Sequence, residues 1–250
     1  MIINKRLIPA GSYMRKRFAS LGAIALLAYA GFAAIAIAQS ADAASVQPAP
    51  TTVPNNNRYK AGLWLAEQRA KVDAMKDGCD LIFIGDSITF AWDWHLWRQY
   101  YKPRRALNFG IPGDTVENVL YRLDYEGLKA VQPKVAVILV GTNNGGPASE
   151  TAQGILAVIE KTQELFPEVK IILMDILPTA RRTEHITATN EIIRGFADNK
   201  SVFRLNLAER MRPEGDSWKG LKADKLHLSP EGYAIWAESM EPLLKKLLNE

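Results

Sequence analysis

Five short apolar runs between Asp80 and Leu207 constrain this chain more than any other feature. They are Asp80–Gly85 (DLIFIG), Arg105–Phe109 (RALNF), Lys134–Val140 (KVAVILV), Val169–Ile176 (VKIILMDI) and Ser201–Leu207. Runs this short, with little polar alternation, read as strands buried on both faces. Between them the period lengthens to that of a helix, at Asp114–Tyr125, Glu150–Phe166 and Thr183–Asp198. Helical patterns also precede and follow the set, at Tyr59–Met75 and Pro230–Leu248. In Asp114–Tyr125 the residues Val116, Val119, Leu120 and Leu123 share one face. Apolar strands separated by helices predict one parallel sheet of five strands, covered by helices on both sides. There is no internal repeat and no sign of a second domain. In such sheets the reactive groups gather on the loops beyond the carboxyl ends of the strands.

Composition excludes several classes. Cys79 is the only cysteine, so neither a disulfide framework nor a CxxC zinc or redox site is available. His95, His185 and His227 are too scattered for a histidine-rich metal cluster. The net charge of +4 belongs to the first residues, where Lys5, Arg6, Arg15, Lys16 and Arg17 stand without an acid. Removing those five leaves 26 basic against 27 acidic residues, and no nucleic-acid footprint. Behind this cluster, Leu21–Ala38 is uncharged and apolar and ends Ala36-Ile37-Ala38. A basic start, an apolar middle and a small-x-small end make a secretory signal peptide over residues 1–38. Met14, directly before Arg15, reads as the true start, and Ala41-Asp42-Ala43 offers a second cleavage point. No cysteine follows, so the signal is not of the lipoprotein kind. The competing reading is an uncleaved anchor, because about 18 apolar residues are the lower limit for a span. Residues 39–57 are poor in large hydrophobes and read as a disordered tether to a domain over residues 58–250. The expected location is periplasmic or secreted.

The strand ends carry the chemistry. After the first run, Gly85-Asp86-Ser87 places a hydroxyl at the mouth of a helical turn, where amide dipoles favour negative charge. A nucleophile fits there, and so does a plain helix cap. After the second, Gly110-Ile111-Pro112-Gly113-Asp114-Thr115 makes a tight turn. Gly113 can bring its N–H close to a ligand, and Asp114 or Thr115 caps the next helix. After the third, Gly141-Thr142-Asn143-Asn144 offers an uncharged amide donor suited to an oxyanion, or caps the helix that starts near Ser149. Before the last helix, Asp224-Lys225-Leu226-His227 sets an imidazole three residues from a carboxylate. That pair can act as an oriented base for a hydroxyl nucleophile. Trp92, Trp94 and Trp97 form either an apolar or sugar-stacking wall or a packed layer under the sheet. His95 and His185 read as surface residues. No G-x-S-x-G, P-loop, dinucleotide fingerprint or H-E-x-x-H occurs.

Taken together, the blocks IFIGDSITF, NFGIPGDT, VILVGTNN and DKLHLSPEGY resemble the SGNH (GDSL-type) hydrolases over nearly all of Asp80–Leu248. The stretch Leu107–Asn144 is similar to the catalytic subunits of platelet-activating-factor acetylhydrolase and their bacterial relatives. The resemblance implies a flavodoxin-like three-layer α/β/α sandwich and a shallow, open site. It also implies metal-free ester hydrolysis without a cofactor, through a Ser-His-Asp triad. It assigns Ser87 as nucleophile, His227 as base and Asp224 as its orienting carboxylate. The Ser87 and Gly113 N–H groups and the Asn143 amide would form the oxyanion hole. Two departures stand out: Pro112 replaces a usual glycine, and Asn144 replaces a frequent Asp. The implied function is an exported carboxylesterase for short acyl groups, acetyl by resemblance, on a substrate such as an O-acetylated glycan. Competing functions are a lysophospholipase or thioesterase for longer chains, an acyltransferase to sugars, and a non-catalytic carbohydrate-binding scaffold. The partner in each catalytic case is an ester, and the only link to a membrane is the leader, if uncleaved. Oligomeric state is not legible.

Overall fold

Each apolar run becomes a strand; four strands are slightly shorter than their runs, and the second keeps five residues but lies one position further on, at Ala106–Gly110. The computed structural model describes residues 61–180, 182–215 and 217–250. The expected leader, its cleavage or anchoring, and the tether all lie outside the described residues. The chain runs α1 (Ala61–Asp73), β1 (Leu81–Gly85), α2 (Ser87–Phe90), α3 (Trp94–Leu96) and β2 (Ala106–Gly110). It continues through α4 (Val116–Leu123), β3 (Val135–Leu139), α5 (Ala148–Leu165), β4 (Lys170–Met174), α6 (Thr183–Ile193) and β5 (Val202–Leu205). A two-residue pair, β6 (Pro213–Glu214) and β7 (Ser217–Trp218), precedes the closing helix α7 (Pro230–Leu248). Among the described residues, β1 to β5 form one parallel sheet in the order β2-β1-β3-β4-β5. That is the flavodoxin-like order.

Alternate residues of each strand serve opposite layers, as the two-residue pleat requires. Ile82, Ile84, Phe109 and Ile138 pack with apolar residues of α1, α4, α5 and α6. Leu81, Phe83, Val137 and Met174 pack with α7 and the segment that follows β1. From sequence alone that segment is a helical turn at Ser87 and nothing more. It forms α2, α3, a π-helical turn at Trp97–Tyr101 and a 3-10 turn at Lys102–Arg104. Its aromatic spacing explains this, because Trp92 and Tyr101 are buried against Phe83 and Trp236.

For two of the three tryptophans this is the packed layer under the sheet and not the wall. Trp92 lies 4.6 Å from Trp236 between ring centroids, and Trp97 lies 5.2 Å from Phe83. Only Trp94 is exposed, with the Arg98 guanidinium 5.6 Å from its ring centre. Indole rings gain more from covering the sheet than from facing water.

The chain leaves β1 for β2 on one side and returns to β3 on the other. A crevice therefore opens where β1 and β3 end side by side, at Gly85 and Leu139. The Ser87 turn and the Asn143 loop both emerge there. From the other layer, the Tyr233 hydroxyl of α7 donates to the Ile88 carbonyl at 2.7 Å and fastens that helix to the Ser87 turn.

Candidate active site

Ser87 is the first residue of α2, held by an aspartate cap. The Asp86 carboxylate accepts from the Ile88 N–H at 2.9 Å, and the Asp86 carbonyl accepts from the Phe90 N–H at 2.9 Å. The cap reading and the reactive-hydroxyl reading thus fall on different residues: Asp86 caps, and Ser87 stays half-buried and accessible.

His227 arrives from a short closed loop. Leu221 and Leu228 bridge, the Lys222 N–H donates to the His227 carbonyl at 2.8 Å, and Lys225 turns the chain at φ 55°. Asp224 faces back across the turn. One of its oxygens accepts from the Leu226 and His227 N–H groups at 3.0 and 2.9 Å, and the other meets His227 Nδ1 at 2.7 Å. The hydrogen bond from His227 leads in holding the Asp224 carboxyl down at about 2. An ionised carboxylate only accepts, so Nδ1 carries the proton and Nε2 of the neutral ring is an acceptor. Nε2 lies 3.0 Å from Ser87 Oγ, which donates to it. Ser87, His227 and Asp224, separated by 140 residues at one step and three at the next, form one hydrogen-bonded line.

The second loop is a type II turn. Pro112 occupies its first central position and Gly113, at φ 82°, its second, with the Asp114 N–H donating to Ile111 O at 3.3 Å. Proline presets the first position and glycine alone takes the second without strain. Pro112 therefore suits the turn that presents Gly113, which is exposed. Thr115, not Asp114, caps α4, its N–H donating to Asn118 Oδ1 at 2.9 Å.

Asn143 comes from the loop after β3. Its Nδ2 donates to the Asp114 carbonyl at 2.9 Å and lies 3.5 Å from Asp86 Oδ2. The two contacts set the amide nitrogen between Asp114, next to Gly113, and Asp86, next to Ser87. Asn144 does not cap α5, whose cap position is Pro147. Its Oδ1 accepts from the Val116 N–H at 3.0 Å, and its Nδ2 donates to Glu117 at 3.1 Å. An aspartate could not make that second bond. Of the remaining histidines, His95 is exposed and His185 meets the Thr151 hydroxyl at 3.3 Å.

Sequence reading passed over two groups beneath this site. Arg122 and Asp114 form a fully buried ion pair, with Arg122 Nε 2.7 Å from Asp114 Oδ2. The available signal was spacing: Arg122 follows Val119 by three positions and so falls on the apolar face of α4. The other group is Asp86 itself, which is completely buried. Burial pushes its carboxyl up to about 7, aided by nearby Asp114 and opposed by the Ile88 N–H. An unfolded aspartate titrates near ~3.9, so between about pH 4 and 7 the folded chain retains a proton that the unfolded chain releases. Stability from this group is full below that window and is lost as pH rises through it. Asp86→Asn keeps the cap oxygen and removes the titration. We expect its thermal midpoint to decline less than that of the wild type between about pH 5 and pH 8. Parallel melting curves across that range check this, and equal declines refute it.

Comparison with known proteins fits this geometry. Residues 83–235 match the model of the GDSL-like Lipase/Acylhydrolase family. The chain belongs to that family. This GDSL acylhydrolase is 31% identical over 210 residues to platelet-activating factor acetylhydrolase IB subunit alpha1 of Pongo abelii, covering 80% of this chain and 91% of that protein. It is 32% identical over 197 residues to the alpha2 subunit of Homo sapiens, covering 75% and 86%. Among solved structures, a GDSL-like lipase from Bacteroides thetaiotaomicron superposes with TM-score 0.62 at 21% identity, covering 73% of this chain and 97% of that one. A lipase/acylhydrolase from Enterococcus faecalis gives TM-score 0.57 at 23% identity, covering 67% and 96%. These structures share the sandwich fold. The family's reaction is the hydrolysis of carboxylic esters, and the acylhydrolase is an esterase of that class.

Proposed function

We propose that this acylhydrolase is an exported serine carboxylesterase that removes short acyl groups, acetyl first, through an acyl-enzyme. The reading is carried by the line from Ser87 Oγ to His227 Nε2 at 3.0 Å and from His227 Nδ1 to Asp224 at 2.7 Å. His227 takes the Ser87 proton as Oγ attacks the ester carbonyl, and Asp224 stabilises the imidazolium that forms. The carbonyl oxygen, now anionic, is held by the N–H groups of Ser87 and Gly113 and by the Asn143 amide. His227 returns the proton to the leaving alcohol. Water, activated by the same ring, then releases the acid and regenerates Ser87.

Support for a small acyl group comes from relatives named acetylhydrolases. The His227 and Asp224 side chains keep 30% and 41% of their surface exposed, which suits a large alcohol entering from solvent. The apolar, alanine-rich segment before residue 39 supports export, and with it an extracellular ester such as an acetylated glycan. The test compares p-nitrophenyl acetate with the dodecanoate, then measures acetate release from acetylated xylan and from an acetylated phospholipid. The proposal predicts a kcat/KM at least about tenfold higher for acetate, each about 1.4 kcal/mol at the transition state being tenfold in rate. A preference for dodecanoate would turn the assignment to a lysophospholipase or thioesterase.

A further inference from the structure

We infer that Arg122 is a positioning residue for the oxyanion side of the site, acting through Asp114 without touching substrate. This rests on the proposed reading of Gly113 and Asn143 as the oxyanion donors. Arg122 projects from α4 into the layer beneath the crevice, and both its side chain and that of Asp114 are at most 2% exposed. Its Nε and Nη2 each lie 2.7 Å from Asp114 Oδ2. Its Nη1 donates to the Phe109 carbonyl at 3.0 Å and Nη2 to the Gly85 carbonyl at 3.3 Å. The guanidinium also lies over the Phe109 ring, 4.4 Å from its centre. One planar fork therefore ties the ends of β1 and β2 to Asp114.

Asp114 is the residue on which both donors depend. Gly113 is joined to it by a peptide bond, and Asn143 Nδ2 donates to its carbonyl at 2.9 Å. A rotation of Asp114 displaces the Gly113 N–H and releases the Asn143 amide together. Stability alone is a poor reason for this pair, since well-packed apolar residues often replace a buried ion pair at little cost. Its value lies in fixing the turn, in which the Asp114 N–H donates to the Ile111 carbonyl at 3.3 Å.

Two variants test this. Arg122→Lys keeps the charge beside Asp114 but lacks the planar fork needed to reach both strand carbonyls. The double variant Arg122→Met with Asp114→Asn leaves no buried charge unpaired. Active sites are counted by end-point labelling with a phosphonate, so that kcat refers to folded enzyme. We expect both variants to fold, with kcat lowered about tenfold to a hundredfold, as for a displaced reacting group, and KM within about twofold. Inhibition by an alkyl trifluoromethyl ketone, whose serine adduct places an anionic oxygen in the hole, should weaken by a similar factor. Inhibition by the product alcohol should not change. Wild-type kcat and ketone inhibition in both folded variants overturn the inference, as does loss of folding in both. Asn143→Ala in the same assay separates the causes. If it lowers kcat and the Arg122 variants do not, the positioning role alone fails; if it does not, the donor reading fails and takes this inference with it.

Discussion

Ser87→Ala is expected to lower kcat/KM for a simple acetate ester by at least about 10,000-fold, the scale lost when a catalytic nucleophile is removed. The fold should persist, because Ser87 uses its side chain only on His227 Nε2 among the bonds described, while Asp86 supplies the cap. Near-unchanged circular dichroism and melting, with the ester turnover gone, is the expected pair of results. The variant should also resist labelling by a phosphonate that modifies the wild type stoichiometrically. Wild-type turnover by purified Ser87→Ala would dismiss the nucleophile and the mechanism with it.

Asn143→Ala should cost about 100- to 1,000-fold in kcat, the usual effect of deleting one oxyanion donor. KM should change little, because in the proposed mechanism the amide serves charge that develops only in the transition state. The structural loss is the hydrogen bond to the Asp114 carbonyl, worth about 1 kcal/mol net, and the longer contact with Asp86. Asn143→Asp should be worse than alanine. It replaces a donor by an anion facing both the oxyanion and buried Asp86, whose Oδ2 lies 3.5 Å away. Steady-state kinetics of the two variants beside the wild type decides this; an Asp variant more active than the Ala variant would refute a donor role at this position.

Much of the sheet was legible because its strands are buried on both faces. A run such as Val135–Leu139, with every residue buried, has no other stable environment in water. Beyond the helical turn at Ser87, the segment up to Arg104 was not legible, since its short helices are set by aromatic packing onto Phe83 and not by their own propensity. Two-residue strands such as β6 and β7 leave no periodic trace at all. In the site, each loop could be read alone as a cap or a turn. The resemblance named the chemistry, while the residues by themselves left both readings open.

Composition and order along the chain determined the fold class, the loops that gather at one sheet edge, and the residue types fit for ester chemistry. Hydrophobic periodicity is a local property, and it survives in a linear string. The strand order, the 3.0 Å meeting of Ser87 with His227, and the burial of Asp86, Asp114 and Arg122 were decided only in three dimensions. Desolvation and hydrogen bonding depend on which distant segments come together, and that is a property of packing.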